Sequence, residues 1–401
     1  MHKVDILIAG AGIIGLNVAR YLLKENPKLK VWVVDKENQV GFHASTRNSG
    51  VLHSGCYYSS GSMKSRFCIQ GNKEWHDLFK EYSLPHRKIG KLIVAQNDNE
   101  VDRLAQLYEN GRSQGVELEL INSNKLDAFD PLAKSHKMFI WSPSTTISDP
   151  KVIMNFIAAD VKALGGKIST NSLVSVLPGR KILINDERIS YRHFVNCAGS
   201  YADVLAHQFD TGKEFSLVPF KGSYYAADSS DLPISKLIYP LPHQTNAFLG
   251  VHLTPTLSGK VKLGPTATPV LGPEFYNWNF DVTWQDFWHS FRGHIILAKS
   301  NKRDFTNIAI SELRKQNLKY LLSQAQHLVK VDLKKLVWKK TVPGIRAQLV
   351  NTVTGELESD FRVITTNRST HLLNVVSPGW TSALTFSREI AEKVIQDLKS
   401  N

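Results

Sequence analysis

Residues 4–35 read VDILIAGAGIIGLNVARYLLKENPKLKVWVVD, and this stretch decides the fold. An apolar run at 4–9 meets Gly10, Gly12 and Gly15, and a second apolar run ends on Asp35. Each glycine has a physical reason: Gly10 for a tight turn off the first strand, Gly12 for close approach of backbone to a pyrophosphate, Gly15 for packing helix on strand. The amphipathic segment 13–23 predicts a helix whose free N–H groups point at the phosphates. Asn26 and Pro27 break it, and 31–34 predicts the second strand. Asp35 stands about 20 residues past the last glycine, where a carboxylate accepts hydrogen bonds from ribose hydroxyls and repels a 2′-phosphate. Three glycines alone are weak evidence, but set in a βαβ unit of this length they predict a bound adenine dinucleotide, NAD or FAD. Gly10, Gly12, Ile14, Gly15, Asp35 and Lys36 are its expected contacts.

Working outward, 401 residues with 42% hydrophobic content predict two domains. The opening residues lead straight into a strand, so neither a leader ahead of the fold nor a bilayer-spanning apolar stretch is expected, and the location expected is cytoplasmic. Cys56, Cys68 and Cys197 form neither a disulfide framework nor a zinc spacing, which fits a reducing compartment and no metal. A net charge of +13 favours anionic partners: nucleic acid, an acidic membrane surface or a dicarboxylate substrate.

Further along, the patterns predict helices at 62–82, 100–114 and from 150 to a stop at Gly165 and Gly166, with strands at 91–95 and 138–141. A buried strand ends at 193–199 in the small-residue turn of Asn196, Cys197, Ala198 and Gly199, which suits either a tight turn or a cofactor. Residues 218–264 are almost all strand pattern, with turns at 240–246 and 257–260, and read as an antiparallel substrate sheet. A helical stretch at 284–329 follows. The chain returns to strand pattern and closes with a helix at 381–398.

At 43–58 the chain reads HASTRNSGVLHSGCYY, followed by GSMKSRFCIQG at 61–71. This segment resembles the flavin-proximal segment of the L-2-hydroxyglutarate dehydrogenase/oxidase family of D-amino-acid-oxidase-like FAD proteins. The likeness continues in order through GKLIVA (90–95), 145–149, NCAGSYAD (196–203), PFKGSYY (219–225), LIYPLP (237–242), FLGVHLT (248–254), 264–267, PGIRAQ (343–348) and NVVSPGWTSAL (374–384). It selects non-covalent FAD, although Cys56 after Gly55 raises a thioether link as a question. It implies an α/β fold in which a Rossmann-like FAD-binding domain (1–85, 145–215 and 340–401) interleaves with an antiparallel-sheet substrate domain (86–144 and 216–339). It also adds Thr46, Asn48, Ser49, Val174, Gly199, Gly379 and Thr381 to the expected cofactor contacts. Three departures bear on substrate choice: Asp35 where the family carries Glu, Gly379 and Trp380 where it carries two alanines, and Ser148 and Pro150 flanking Asp149.

Oxidising an L-2-hydroxy acid removes a hydride equivalent from C2 and a proton from the hydroxyl, so the site needs a base and a carboxylate anchor. The resemblance places His53 beside the flavin as base, with His252 as second candidate and Arg346 as bidentate anchor. Tyr224, Tyr225 and Lys221 are expected around the pocket, Lys221 facing a second carboxylate. Electrons would pass to oxygen or a membrane quinone. The aromatics of 278–291, followed by lysines, suggest peripheral contact with the inner face of a membrane. The competing readings are an FAD-dependent amine or amino-acid oxidase of the same superfamily, and a basic FAD-retaining protein that binds nucleic acid, for which no motif speaks.

Overall fold

The computed structural model describes residues 2–242, 250–277 and 282–400. Its organising element is the strand His2–Ala9, which pairs in parallel with Val31–Val34 on one side and with Glu187–Asn196 on the other. Lys167–Ser169 continues the parallel run beyond Val31–Val34, and Ser369–Leu372 adds a parallel partner beyond Glu187–Asn196. Side chains alternate across a strand. Ile6 and Ile8 therefore pack into one core with the helices Ile13–Glu25, Pro150–Ala163 and Gly379–Ser400, while Leu7 and Ala9 pack into another with Trp32, Phe194 and Phe209. Burial on both faces explains the unbroken apolar runs that mark these strands in the sequence.

Helix ends follow local chemistry. The Ser62 hydroxyl accepts from the Ser65 N–H at the start of Met63–Glu81. Asp149 caps Pro150–Ala163 with proline at its first turn, and Gly165 (φ +87°) ends it in the left-handed region.

A second eight-stranded sheet runs Lys339–Lys340, Tyr225–Asp228, Lys260–Gly264, His252–Pro255, Leu237–Pro240, Lys91–Val94, Met138–Ser142, Glu119–Asn122. The strands within 225–264 pair antiparallel as expected, and one pair to a strand from outside that stretch, Leu237–Pro240 with Lys91–Val94, runs parallel. That junction is where two distant chain segments, each antiparallel within itself, are joined edge to edge. The expected turn at 240–246 lies partly outside the described residues. A four-stranded antiparallel sheet pairs Phe215–Gly222 with Gly344–Asn351 along their whole length. The helices Trp284–Ser300, Phe305–Arg314 and Leu318–Ala325 occupy the predicted helical stretch. Among the described residues no helix is long and apolar enough to cross a membrane.

Candidate active site

A cavity of about 880 Å³ runs from the tip of the parallel sheet into the mixed sheet. At its first end the glycine turn is locked by backbone. A Cβ on Gly10 (φ +105°) would stand 2.2 Å from the Cys197 carbonyl oxygen, and one on Gly15 would stand 2.0 Å from that of Gly10. Gly12 differs, because its Cβ would meet only the Ser45 Oγ at 3.1 Å, and the position faces the cavity. The helix Ile13–Glu25 starts here with no acidic residue in its own first turn. Asp35 steadies the turn: its Oδ2 accepts from the Ala11 N–H at 2.7 Å and its Oδ1 from the Glu37 N–H at 3.0 Å. Carboxylate oxygens carry further lone pairs, so ribose hydroxyls remain acceptable partners. A glycine-lined backbone approach, a helix N-terminus facing the cavity and an acid at the second strand tip together fit a dinucleotide.

The same end carries a polar cluster. Ligand-type atoms of Glu37, His43 and Glu274 lie within 4.8 Å of one another, and the Lys36 ammonium pairs with both carboxylates. Arg47 lies 4.0 Å from the ring centroid of Tyr276, whose hydroxyl bonds His43 Nδ1 at 2.7 Å. Glu274 also accepts from the Tyr201 hydroxyl at 2.7 Å. The segment around 274–276 is thereby tied to the nucleotide end of the cavity.

At the far end His53, His252 and Arg346 line the same space. The His53 N–H donates to the Thr381 Oγ1 at 3.0 Å, joining this loop to the first turn of Gly379–Ser400. His53 Nδ1 is buried without a hydrogen-bond partner, and burial followed by the charge of Lys91 holds this imidazole well below its ordinary value. His252 stacks on Tyr239 with ring centroids 3.7 Å apart. Its Nδ1 donates to the Gly250 carbonyl at 2.8 Å, which leaves Nε2 as the acceptor of a neutral ring. Burial lowers it to about 3. Arg346 sits opposite Phe220 in the four-stranded sheet and bonds Gln348 Oε1 at 3.2 Å. Burial works against its charge, while Tyr58 and Tyr224 beside it favour the charged form. A guanidinium titrates so high that it stays cationic here.

Of the expected cofactor contacts, the cavity is lined by Gly10, Gly12, Ile14, Gly15, Asp35 and Lys36, and equally by Asn48, Ser49, Val174, Gly199, Gly379 and Thr381. Thr46 is not among the lining residues. Its hydroxyl donates back to the Gly41 carbonyl at 2.7 Å and closes the loop, while its neighbours Ser45 and Arg47 face the cavity. Tyr224 lines the space, but Tyr225 packs into the mixed-sheet core, as alternation along the chain requires. Lys221 is likewise turned away: Phe220 and Gly222 line the cavity, and the Lys221 ammonium lies 5.1 Å from the Phe275 ring centroid. Cys56 is fully buried in a separate apolar cluster, whereas Cys197 lines the cavity with its thiol pushed up to about 12 by burial.

Two of the departures from the family pattern, at Trp380 and Ser148, meet one another. The Trp380 indole stacks on Trp75 with centroids 5.7 Å apart and donates to the Ser148 Oγ at 3.4 Å. The helix expected from Thr381 begins at Gly379. Missed by sequence reasoning were Ser45, whose Oγ accepts from the Ile13 N–H at 2.9 Å, and Tyr239, which stacks on His252 and stands edge-on to His53. A pairing 32 residues apart has no local signature.

Residues 5–393 match the protein family described as FAD dependent oxidoreductase. The chain is 32% identical to the mitochondrial L-2-hydroxyglutarate dehydrogenase of Caenorhabditis elegans, covering 100% of this chain and 95% of that protein. It is 30% identical to the L-2-hydroxyglutarate dehydrogenase of Escherichia coli K12, covering 97% and 93%, and 32% identical to the human mitochondrial one, covering 98% and 89%. Among solved structures, the FAD-bound L-alpha-glycerophosphate oxidase of Mycoplasma pneumoniae superposes with a TM-score of 0.75 at 22% identity over 99% of this chain and 95% of that one. The glycine oxidase of Geobacillus kaustophilus does so with 0.75 at 17% identity, covering 99% and 95%. These two likenesses are of fold.

Proposed function

The chain belongs to the FAD dependent oxidoreductase family, and from that premise we propose that it oxidises a small 2-hydroxy acid, L-2-hydroxyglutarate to 2-oxoglutarate. The observation that carries this reading is that His53 and Arg346 line one cavity with the dinucleotide turn. FAD, held non-covalently by the glycine turn, supplies the two-electron acceptor. The protein's own groups divide the remaining work. Arg346 binds the carboxylate beside the reacting carbon through paired N–H donors, which fixes the orientation of C2. His53, neutral across physiological pH, takes the hydroxyl proton on a ring nitrogen, with His252 as the second base in reach of the same space. Both imidazoles are buried in the fold and open onto the cavity.

Anaerobic mixing of the yellow holoenzyme with L-2-hydroxyglutarate is expected to bleach the flavin spectrum. Bleaching by amino acids and not by hydroxy acids in the same panel would replace this reading with amine oxidation. Arg346→Ala is expected to raise KM on the order of 100-fold, since a buried charged partner of a carboxylate is lost. An unchanged KM would place the anchor elsewhere. The domain boundaries drawn from the sequence are part of this proposal; the pairing of Phe215–Gly222 with Gly344–Asn351 joins a segment placed in the substrate domain to one placed in the FAD domain.

Electrons would leave to oxygen or to a membrane quinone, and the helix Trp284–Ser300 supports contact with a membrane. Trp284 (71% exposed), Trp288, Phe291 and Ile295 are exposed at helical spacing, and Arg292, Lys299, Lys302 and Arg303 are exposed beside them. Trp278, part of the same expectation, lies outside the described residues. Co-sedimentation with anionic vesicles, weakened by salt and by Trp284→Ala, is the expected result. Oxygen uptake measured against quinone reduction then separates the acceptors.

A further inference from the structure

We propose that the segment 273–276 is a clasp at the adenosine end of the cavity, one that opens for FAD to enter or leave and so sets how long the cofactor is held. The inference rests on the reading that FAD lies along the glycine turn and Asp35. The segment follows the strand Thr268–Pro269, which pairs with Phe215–Gly222, and precedes the helix Trp284–Ser300. It belongs to the stretch placed in the substrate domain, yet its side chains are bound to residues placed in the FAD domain. Glu274 Oε1 accepts from the Lys36 ammonium at 2.5 Å and from the Tyr201 hydroxyl at 2.7 Å. The Tyr276 hydroxyl bonds His43 Nδ1 at 2.7 Å, and the Arg47 guanidinium lies 4.0 Å from the Tyr276 ring centroid. Phe275 between them meets its own domain, with the Lys221 ammonium 5.1 Å from its ring centroid. Lys36, His43, Arg47 and Tyr201 line the cavity, and so do Pro273 and Glu274. These bonds therefore join two distant stretches of chain that bound one space, next to the acid assigned to the ribose.

The contacts are of a kind that can part without unfolding the rest. All four are polar or cation–aromatic, and residues 273–276 are only half-buried, so water replaces the lost partners at small cost. Opening strands no charge on the FAD-domain side. Lys36 keeps its pairing with Glu37, and His43 Nε2 still donates to Glu37 Oε1 at 3.0 Å. Each contact is weak alone, but all four are carried by Glu274 and Tyr276, two residues apart, so one opening event breaks them together. They are made between protein groups and form whether or not FAD is present. Loosening them therefore speeds release and uptake alike and leaves the affinity nearly unchanged.

The test uses FAD-loaded protein in three forms: unaltered, Tyr276→Phe, and the double variant Glu274→Ala with Tyr276→Leu. Diluting each holoenzyme and following the rise of free-flavin fluorescence gives the release rate, and the amount of FAD retained across a dilution series gives the Kd. The double variant is expected to release FAD about tenfold faster with a Kd within about threefold of the parent's, and Tyr276→Phe, which keeps the ring at Arg47, about twofold to threefold faster. A folded double variant that releases FAD at the parent's rate overturns the proposal. So does a Kd that weakens in step with release, because Glu274 and Tyr276 would then hold FAD directly and not gate it. If the double variant does not fold, Tyr276→Phe decides in the same way. Unaltered protein that retains no FAD removes the reading of the cofactor site and the clasp with it, whereas yellow variants with parental release remove the clasp alone.

Discussion

Replacing His53 by alanine is expected to slow reduction of the bound flavin by about 10²–10⁴-fold while the protein remains folded and yellow. The local bonds explain why loss of function and loss of fold separate here. What ties this residue in place is backbone: its N–H donates to Thr381 Oγ1, and its carbonyl accepts from Asn72 Nδ2 at 3.1 Å. Alanine keeps both. The imidazole lines the cavity and its Nδ1 has no partner, so truncation enlarges existing space and orphans no donor or acceptor. Stopped-flow reduction under anaerobic conditions measures the rate, and the flavin spectrum and a thermal melt measure the rest. A variant that reduces its flavin as fast as the parent would leave His53 without the role assigned to it. Because burial and Lys91 both lower its proton affinity, the acid limb of the parent's pH profile should lie well below the usual histidine range.

Gly15→Ala is expected to abolish FAD retention and to lower stability by about 3 kcal/mol. The added methyl would sit 2.0 Å from the Gly10 carbonyl oxygen and 3.3 Å from the Cys197 Cβ, so the helix would have to move off the strand that feeds the turn. Backbone cannot yield as the end of a flexible side chain does. Gly12→Ala makes the informative contrast: its methyl meets only the Ser45 Oγ, so the fold should persist while flavin affinity falls. Absorbance of the purified proteins and their melting temperatures distinguish the two outcomes. A Gly15→Ala protein as yellow and as stable as the parent would mean that close packing of helix on strand is not what this glycine secures.

Where a residue's role comes from its own neighbours in the chain, the sequence was readable. The strand Val31–Val34 and the helix start at Ile13 fall where patterning puts them. Asp149 with Pro150, and Ser62, begin helices for capping reasons visible in the residues themselves. Reading failed where geometry comes from elsewhere in the chain. Thr46 and Ser45 are adjacent and chemically alike, yet one hydroxyl closes its own loop and the other caps the glycine-turn helix 32 residues away. Lys221 and Tyr225 were expected at the pocket because their block matched a family pattern, and the alternation of side chains sends both the other way.

The amino-acid order by itself determined the nucleotide-binding βαβ unit, the class of cofactor and the chemistry on offer, because spacing of glycines, apolar periodicity and residue type act over a few turns of chain. Tertiary structure alone decided which of those groups meet. The parallel junction of Leu237–Pro240 with Lys91–Val94 brings Tyr239 beside Lys91, and the strand His252–Pro255 lays His252 on the Tyr239 ring. The bond between the His53 N–H and Thr381 joins residues more than three hundred positions apart. Burial of that assembly, and so the protonation of its imidazoles, arises from desolvation by the whole fold and leaves no mark on any short stretch of chain.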